Sequence, residues 1–143
     1  MHIQRLDRVQ YTDWLVLWEC YQAFYQTCLT EDVNELTWQR LTDSQIKQMY
    51  GFAAIREGKI VGMVHMIEHD SCWTAKPYAY LQDLYVAETY RNRGVARKLI
   101  QHVGEHCQKH CDRVYWLTQQ QNAQARALYD QLGKIQDLIQ YRM

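Results

Sequence analysis

The segment Arg91-Asn92-Arg93-Gly94-Val95-Ala96, with Arg97 next to it, joins a β-rich run to an amphipathic one. It therefore reads as a strand-to-helix turn. The first N–H groups of a helix have no intrahelical partner, and the helix dipole places partial positive charge there. Glycine at 94 keeps a side chain out of the way of an approaching anion. Arg91, Arg93 and Arg97 add cationic donors that match phosphate oxygens. Residue types alone leave two readings open, an anion site or a surface turn with solvated arginines.

Other residues able to do chemistry lie on either side. Asn122 and Tyr129 are two helical turns apart and share a face, with Ala125, Leu128 and Leu132 on the other. Taken alone they read as an N-cap and an amphipathic core residue. Asp83, Glu68, His65 and His69 sit in strand-like runs and can accept protons, whereas Gln82 cannot. Asp83 alternates to the opposite sheet face from Gln82. Trp14, Trp18, Tyr21 and Tyr25 form a helical stripe that reads first as core. Trp18 and Tyr21, with Glu19 near, can also hold an alkylammonium group by cation–π and charge contacts. His102, His106 and His110 recur every fourth residue beside Cys107 and Cys111. Such spacing can bind a metal, but no carboxylate pattern accompanies it. A solvated helix face and no metal are expected.

These residues need elements to position them. Residues 2–8 suit a first strand. Asp13 reads as the N-cap of a helix carrying Trp14, Leu17, Trp18, Tyr21, Phe24, Tyr25 and Cys28 at three- and four-residue steps. A weaker helical pattern covers 35–48. Phe52–Ile55 and Ile60–Val64 flank Glu57-Gly58-Lys59, a hairpin signal. Residues 70–78 read as a loop and Ala79–Ala87 as a strand. A helix runs from Gly94 to about His110, a strand over Val114–Thr118, and a helix from Asn122 to Leu132 that Gly133 ends. Ile135–Met143 can supply one more strand, or two short ones. The order implies a mixed α/β sheet.

Arg91-x-x-Gly94-x-Ala96 resembles the Q/R-x-x-G-x-G/A signature of the GNAT N-acetyltransferases. Tyr80-Leu81-Gln82-Asp83-Leu84-Tyr85-Val86 is similar to the family's fourth strand, and Asn122-x-x-Ala125-x-x-Leu128-Tyr129-x-x-x-Gly133 to its next motif. The run YLQDLYV and the segment YWLT resemble the histone/polyamine-type members. The resemblance implies the acyl-CoA N-acyltransferase fold, a mostly antiparallel mixed sheet flanked by about four helices. It implies acetyl-CoA as co-substrate and an amine acceptor, with a small cationic amine (a polyamine, diamine or amino acid analogue) placed ahead of a protein lysine, and a CoA-binding sensor without turnover as the alternative. The backbone from Arg91 to Ala96 would hold the pyrophosphate, through Asn92, Arg93, Gly94 and Val95. Leu84, Tyr85 and Val86 would pair with pantetheine as an added strand. Asn122 would contact the cofactor and Tyr129 would be the general acid. Polyamine acetyltransferases often carry Glu-Asp where this chain has Gln82-Asp83, so the base is left to Asp83, Glu68, a histidine or water. Trp18, Glu19, Tyr21 and Glu68 are the acceptor-site candidates. The related enzymes are typically dimers, and a strand at 135–143 would offer an edge for a homodimer.

Bulk properties are consistent. The chain has 143 residues, 48% of them hydrophobic, with 16 basic and 16 acidic side chains. One domain over residues 1–143 is expected. Balanced charge argues against a nucleic-acid or anionic-membrane partner. The five cysteines have no framework spacing, and the N-terminus lacks a signal-peptide h-region, so the cytoplasm is expected.

Overall fold

The computed structural model describes residues 1–143. Five strands, β1 (His2–Arg5), β2 (Met49–Arg56), β3 (Lys59–His69), β4 (Tyr78–Val86) and β5 (Arg113–Trp116), form one sheet in sequence order. Pairing is antiparallel from β1 to β4 and parallel between β4 and β5. Four helices flank it: α1 (Tyr11–Phe24), α2 (Glu31–Thr42), α3 (Val95–Cys107) and α4 (Ala123–Leu132). The sheet separates two cores. On one side α1 and α2 bury Trp14, Leu17, Trp18 and Leu41 against Ala53, Ile55 and Met63. On the other, α3 lays Val95, Leu99, Ile100, Val103 and Cys107 on Phe52, Val64, Met66 and Leu81. The four-residue apolar repeat of α3 is what makes this second face continuous.

The hairpin is as expected, and Glu57 and Gly58 both take positive φ at its two-residue turn. That conformation matches the right-handed twist of the flanking strands. Several expectations need correction. The first strand stops at Arg5, and Leu6–Arg8 form a short 3-10 turn. Gln10, not Asp13, is the residue before α1; Asp13 lies in the first turn, where its charge complements the helix dipole. Cys28 lies beyond α1 and is exposed. The second helix begins at Glu31 and ends at Thr42. Gly133 ends α4 with extended backbone, φ −141°, rather than a left-handed cap. It is required for another reason, since a Cβ there would lie 2.8 Å from the Trp116 ring. Residues 135–143 form no strand; Ile135, Leu138, Ile139 and Tyr141 are exposed. No helix is long and apolar enough to cross a membrane.

Candidate active site: a cleft opened by a bulge in β4

Register between β3 and β4 pairs His65 with Asp83 and then Met66 with Leu81. Gln82 is therefore one residue more than the partner strand supplies, a β-bulge. Bulges bend the strand that carries them. The parallel ladder from β4 to β5 ends at the same place, with Leu81 opposite Trp116. Beyond it the two strands are no longer paired. Leu84, Tyr85 and Val86 stay bonded to β3 opposite Val64, Met63 and Gly62, and their other edge is free.

The gap is a cleft of about 360 Å³. Its walls are the free edge of β4, the turn at 90–97, the β5–α4 segment and the C-terminal end of α1. Asn92 and Gly94 both have positive φ, 58° and 78°, at alternate positions of the turn. Such alternation turns successive N–H groups toward one concavity, an anion-binding nest. Gly94 caps α3 at its N-terminus, and a Cβ there would meet nothing within 4 Å. Its glycine is thus a matter of backbone conformation more than of space. The cleft is lined by Leu84, Tyr85, Val86, Arg91, Asn92, Gly94, Val95, Ala96, Arg97, Asn122, Tyr129 and Tyr21, all expected from the sequence. Arg93 does not line it; its guanidinium lies 5.8 Å from the Tyr90 ring. Arg91 donates to the Val86 carbonyl at 3.2 Å and stacks over Tyr85 and Phe24.

Asn122 is the N-cap of α4, accepting from the Ala125 N–H at 3.3 Å. Tyr129 meets Trp116 edge to face, with ring centroids 5.6 Å apart. Burial, with a smaller contribution from Tyr25, raises its phenol above the ordinary value and keeps it protonated at neutral pH.

Asp83 faces α1. The Trp14 indole N–H donates to Nε2 of buried His65 at 3.0 Å, so the proton of that imidazole is on Nδ1. Nδ1 in turn lies 3.0 Å from an Asp83 carboxylate oxygen. Tyr21 borders this pair; burial first, then the Asp83 charge, raises its phenol. The Asp83–His65 pair joins strands far apart in sequence, and only the cross-strand register reveals it.

Three acceptor-site candidates sit elsewhere. Trp18 is buried, stacked on Trp14, and donates its indole N–H to Asn34 at 2.9 Å, so the core reading of the stripe holds for it. Glu19 is exposed on α1 outside the cleft. Glu68 points to the α3 side, bonded to Tyr50 at 2.6 Å and His110 at 2.8 Å. His102 and His106 are not a solvated stripe either, for both pack edge-on against Phe52. Sequence reasoning also missed Phe24, Tyr90, Trp116, Leu117 and Gln124 as wall residues; Tyr25, Leu81, Gln82, Thr118, Ala125 and Leu128 line the cleft as well. The three-residue step from Tyr21 to Phe24 was the one signal for part of this set.

A helix start with a backbone concavity at Asn92–Gly94, continuous with an unpaired strand edge and a protonated phenol, suits an enzyme that handles a long phosphate-bearing thioester. Known proteins agree. The model of the acetyltransferase (GNAT) family matches residues 14–133. The D-amino-acid N-acetyltransferase HPA3 of Saccharomyces cerevisiae is 33% identical over 131 residues, 90% of this chain and 81% of that protein. The crystal structure of a probable acetyltransferase superposes with a TM-score of 0.87 at 23% identity, covering 100% of this chain and 97% of the other. The aminoglycoside N-acetyltransferase AAC(6')-Iy, in complex with CoA, gives 0.81 at 20% identity, over 99% and 93% of the two chains. The chain belongs to the GNAT family and is an acetyl-CoA-dependent N-acetyltransferase.

Proposed function

We propose that this enzyme acetylates the primary amine of a small molecule, an amino acid in preference to a polyamine, with Tyr129 protonating the departing CoA thiolate. The observation that carries the reading is Tyr129 itself, a phenol raised by burial and set in the cleft that ends at the nest of Asn92–Ala96. Acetyl-CoA supplies the thioester whose carbonyl the amine attacks. The N–H groups of residues 91–96 and the Arg97 guanidinium would hold its phosphates, and the free edge of Leu84–Val86 its pantetheine arm. Asn122 lies beside that path. An amine must lose a proton before it attacks. Asp83, held by His65 and bordered by Tyr21, does not itself line the cleft and would take that proton through the Tyr21 hydroxyl or water.

The acceptor follows from charge. No aspartate or glutamate lines the cleft, and its cations are Arg91 and Arg97. A second ammonium would find no carboxylate partner there. Tyr21, Phe24, Tyr25 and Tyr85 supply an aromatic wall for an apolar side chain. The yeast relative's D-amino-acid activity supports the same acceptor class.

The test is thiol release from acetyl-CoA with D- and L-amino acids, spermidine and a lysine peptide side by side. Amino acids should show the higher kcat/KM. A preference for spermidine would overturn the acceptor assignment, and a preference for the peptide would make the enzyme a protein lysine acetyltransferase. The homodimer remains an expectation, checked by light scattering for a particle of twice 17.2 kDa. A cytoplasmic location, expected from the sequence, is checked by fractionation.

A further inference from the structure

The far end of α3 holds a cluster that acetyl transfer does not use. Cys107 is the last residue of the helix, and His110 and Cys111 follow in the turn beyond it. That turn is fixed by backbone bonds from the N–H groups of His110 and Cys111 to the Cys107 carbonyl, at 3.0 and 2.8 Å. From β3, Glu68 reaches across and bonds the His110 Nε2 at 2.8 Å. One ligand atom from each of Glu68, Cys107, His110 and Cys111 lies within 4.8 Å of the others.

We propose that Glu68, Cys107, His110 and Cys111 bind one divalent zinc-type cation. The donor set is two thiols, an imidazole and a carboxylate, each a known zinc ligand, in the number that a closed tetrahedral site requires. With metal–sulfur bonds near 2.3 Å, tetrahedral geometry sets the two sulfurs about 3.8 Å apart. All four ligand atoms already lie within 4.8 Å of one another, so side-chain adjustment alone can close the site. Soft thiolates disfavour magnesium and calcium, and the absence of four sulfurs disfavours an iron–sulfur cluster. Binding replaces two S–H protons by two metal–sulfur bonds and releases both protons to solvent. Tyr50 donates to a Glu68 oxygen at 2.6 Å and so orients that ligand from β2, with its hydroxyl 3.4 Å from the Cys107 sulfur.

The site is structural. It lies a whole helix away from the nest at Gly94, a distance of about 20 Å for the 13 residues of α3. Its ion would tie the C-terminal turn of α3 to β3.

The experiment uses the full chain, freed of metal by a chelator under reducing conditions, with Co²⁺ and then Zn²⁺ as probes. One Co²⁺ per chain should bind with thiolate-to-metal charge-transfer absorption, and Zn²⁺ should displace it and raise Tm. The exposed cysteines are removed together in Cys20→Ser/Cys28→Ser/Cys72→Ser, which should keep the band. Cys107→Ser/Cys111→Ser should lose it. Because those thiols are buried and their loss can impair folding, His110→Ala provides the second arm. It should weaken Co²⁺ binding about tenfold or more while acetyl transfer stays at the wild-type rate. His102→Ala, which packs on Phe52 and touches none of the four ligands, should change affinity less than about twofold. The proposal fails if no charge-transfer band forms, if the band follows the exposed cysteines, or if His110→Ala binds Co²⁺ as tightly as wild type. A Cys107–Cys111 disulfide in protein prepared without oxygen would also overturn it.

Discussion

Tyr129→Phe separates chemistry from packing, because the substitution removes one oxygen. The ring keeps its edge-to-face contact with Trp116 at 5.6 Å, an arrangement worth about 0.5–1.5 kcal/mol beyond buried area. Folding stability should therefore change by less than about 0.5 kcal/mol. Affinity for CoA should also hold, since the nest and the β4 edge are backbone features. The change falls on kcat. A leaving thiolate with an ordinary thiol pKa near 8.5 departs fairly well unaided, so the loss belongs at the lower part of the general-acid range. We expect about 10- to 1,000-fold, equivalent to about 1.4–4 kcal/mol of barrier. The pH profile adds a second check. An acid works in its protonated form, present below its pKa. Burial raises the Tyr129 pKa from the ordinary 10.0, so the alkaline fall in wild-type kcat due to this group lies above pH 10 and is missing in the variant. The assay is thiol release at saturating acetyl-CoA and acceptor, beside calorimetric CoA binding. A kcat equal to wild type with intact binding would falsify the role of Tyr129 and leave the thiolate to water.

Gly94→Ala should lower stability by about 1–2 kcal/mol, read as Cm in urea, because the residue sits at φ 78° while its Cβ would meet nothing. Gly94→Glu should in addition abolish the rise in Tm that acetyl-CoA gives, since its carboxylate would compete for the phosphate position; calorimetry showing wild-type affinity would refute the nest. Asp83→Asn should cost about 1–3 kcal/mol by disturbing the partner of buried His65, and lower kcat more than it raises KM if Asp83 takes the amine proton. Gly133→Ala puts a methyl 2.8 Å from Trp116, and should cost about 1–3 kcal/mol and move the ring that backs Tyr129, visible as a change in tryptophan fluorescence.

Much of the cofactor half was legible because it is local. The turn at 91–97 and the Asn122–Tyr129 face are fixed by short-range spacing, and local backbone physics places both. The acceptor half depends on which sheet face a residue joins, and that is not local. Alternation along β3 sets Glu68 and His65, three residues apart, on opposite faces, but only the packing shows that α3 covers the face of Glu68 and α1 that of His65. The same blindness hid the carboxylate next to Cys107 and His110, since Glu68 reaches them from another element. Ile135–Tyr141 misled differently. Apolar residues show that a segment could be a strand, but only a partner makes it one, and none of β1–β5 pairs with it.

The bulge at Gln82 carries a consequence for how this chain would respond to losing a residue. Leu81 already stands opposite Met66 and Asp83 opposite His65, neighbours on β3. Deleting Gln82 would leave every other pairing of β4 intact and every side chain on its present face. The shortened strand would then run straight, free to continue alongside β5 past Leu81 and Trp116. Such a chain should fold at least as firmly as the natural one and accept no acetyl-CoA. In this sheet the irregular residue is the one the architecture can spare and the catalyst cannot.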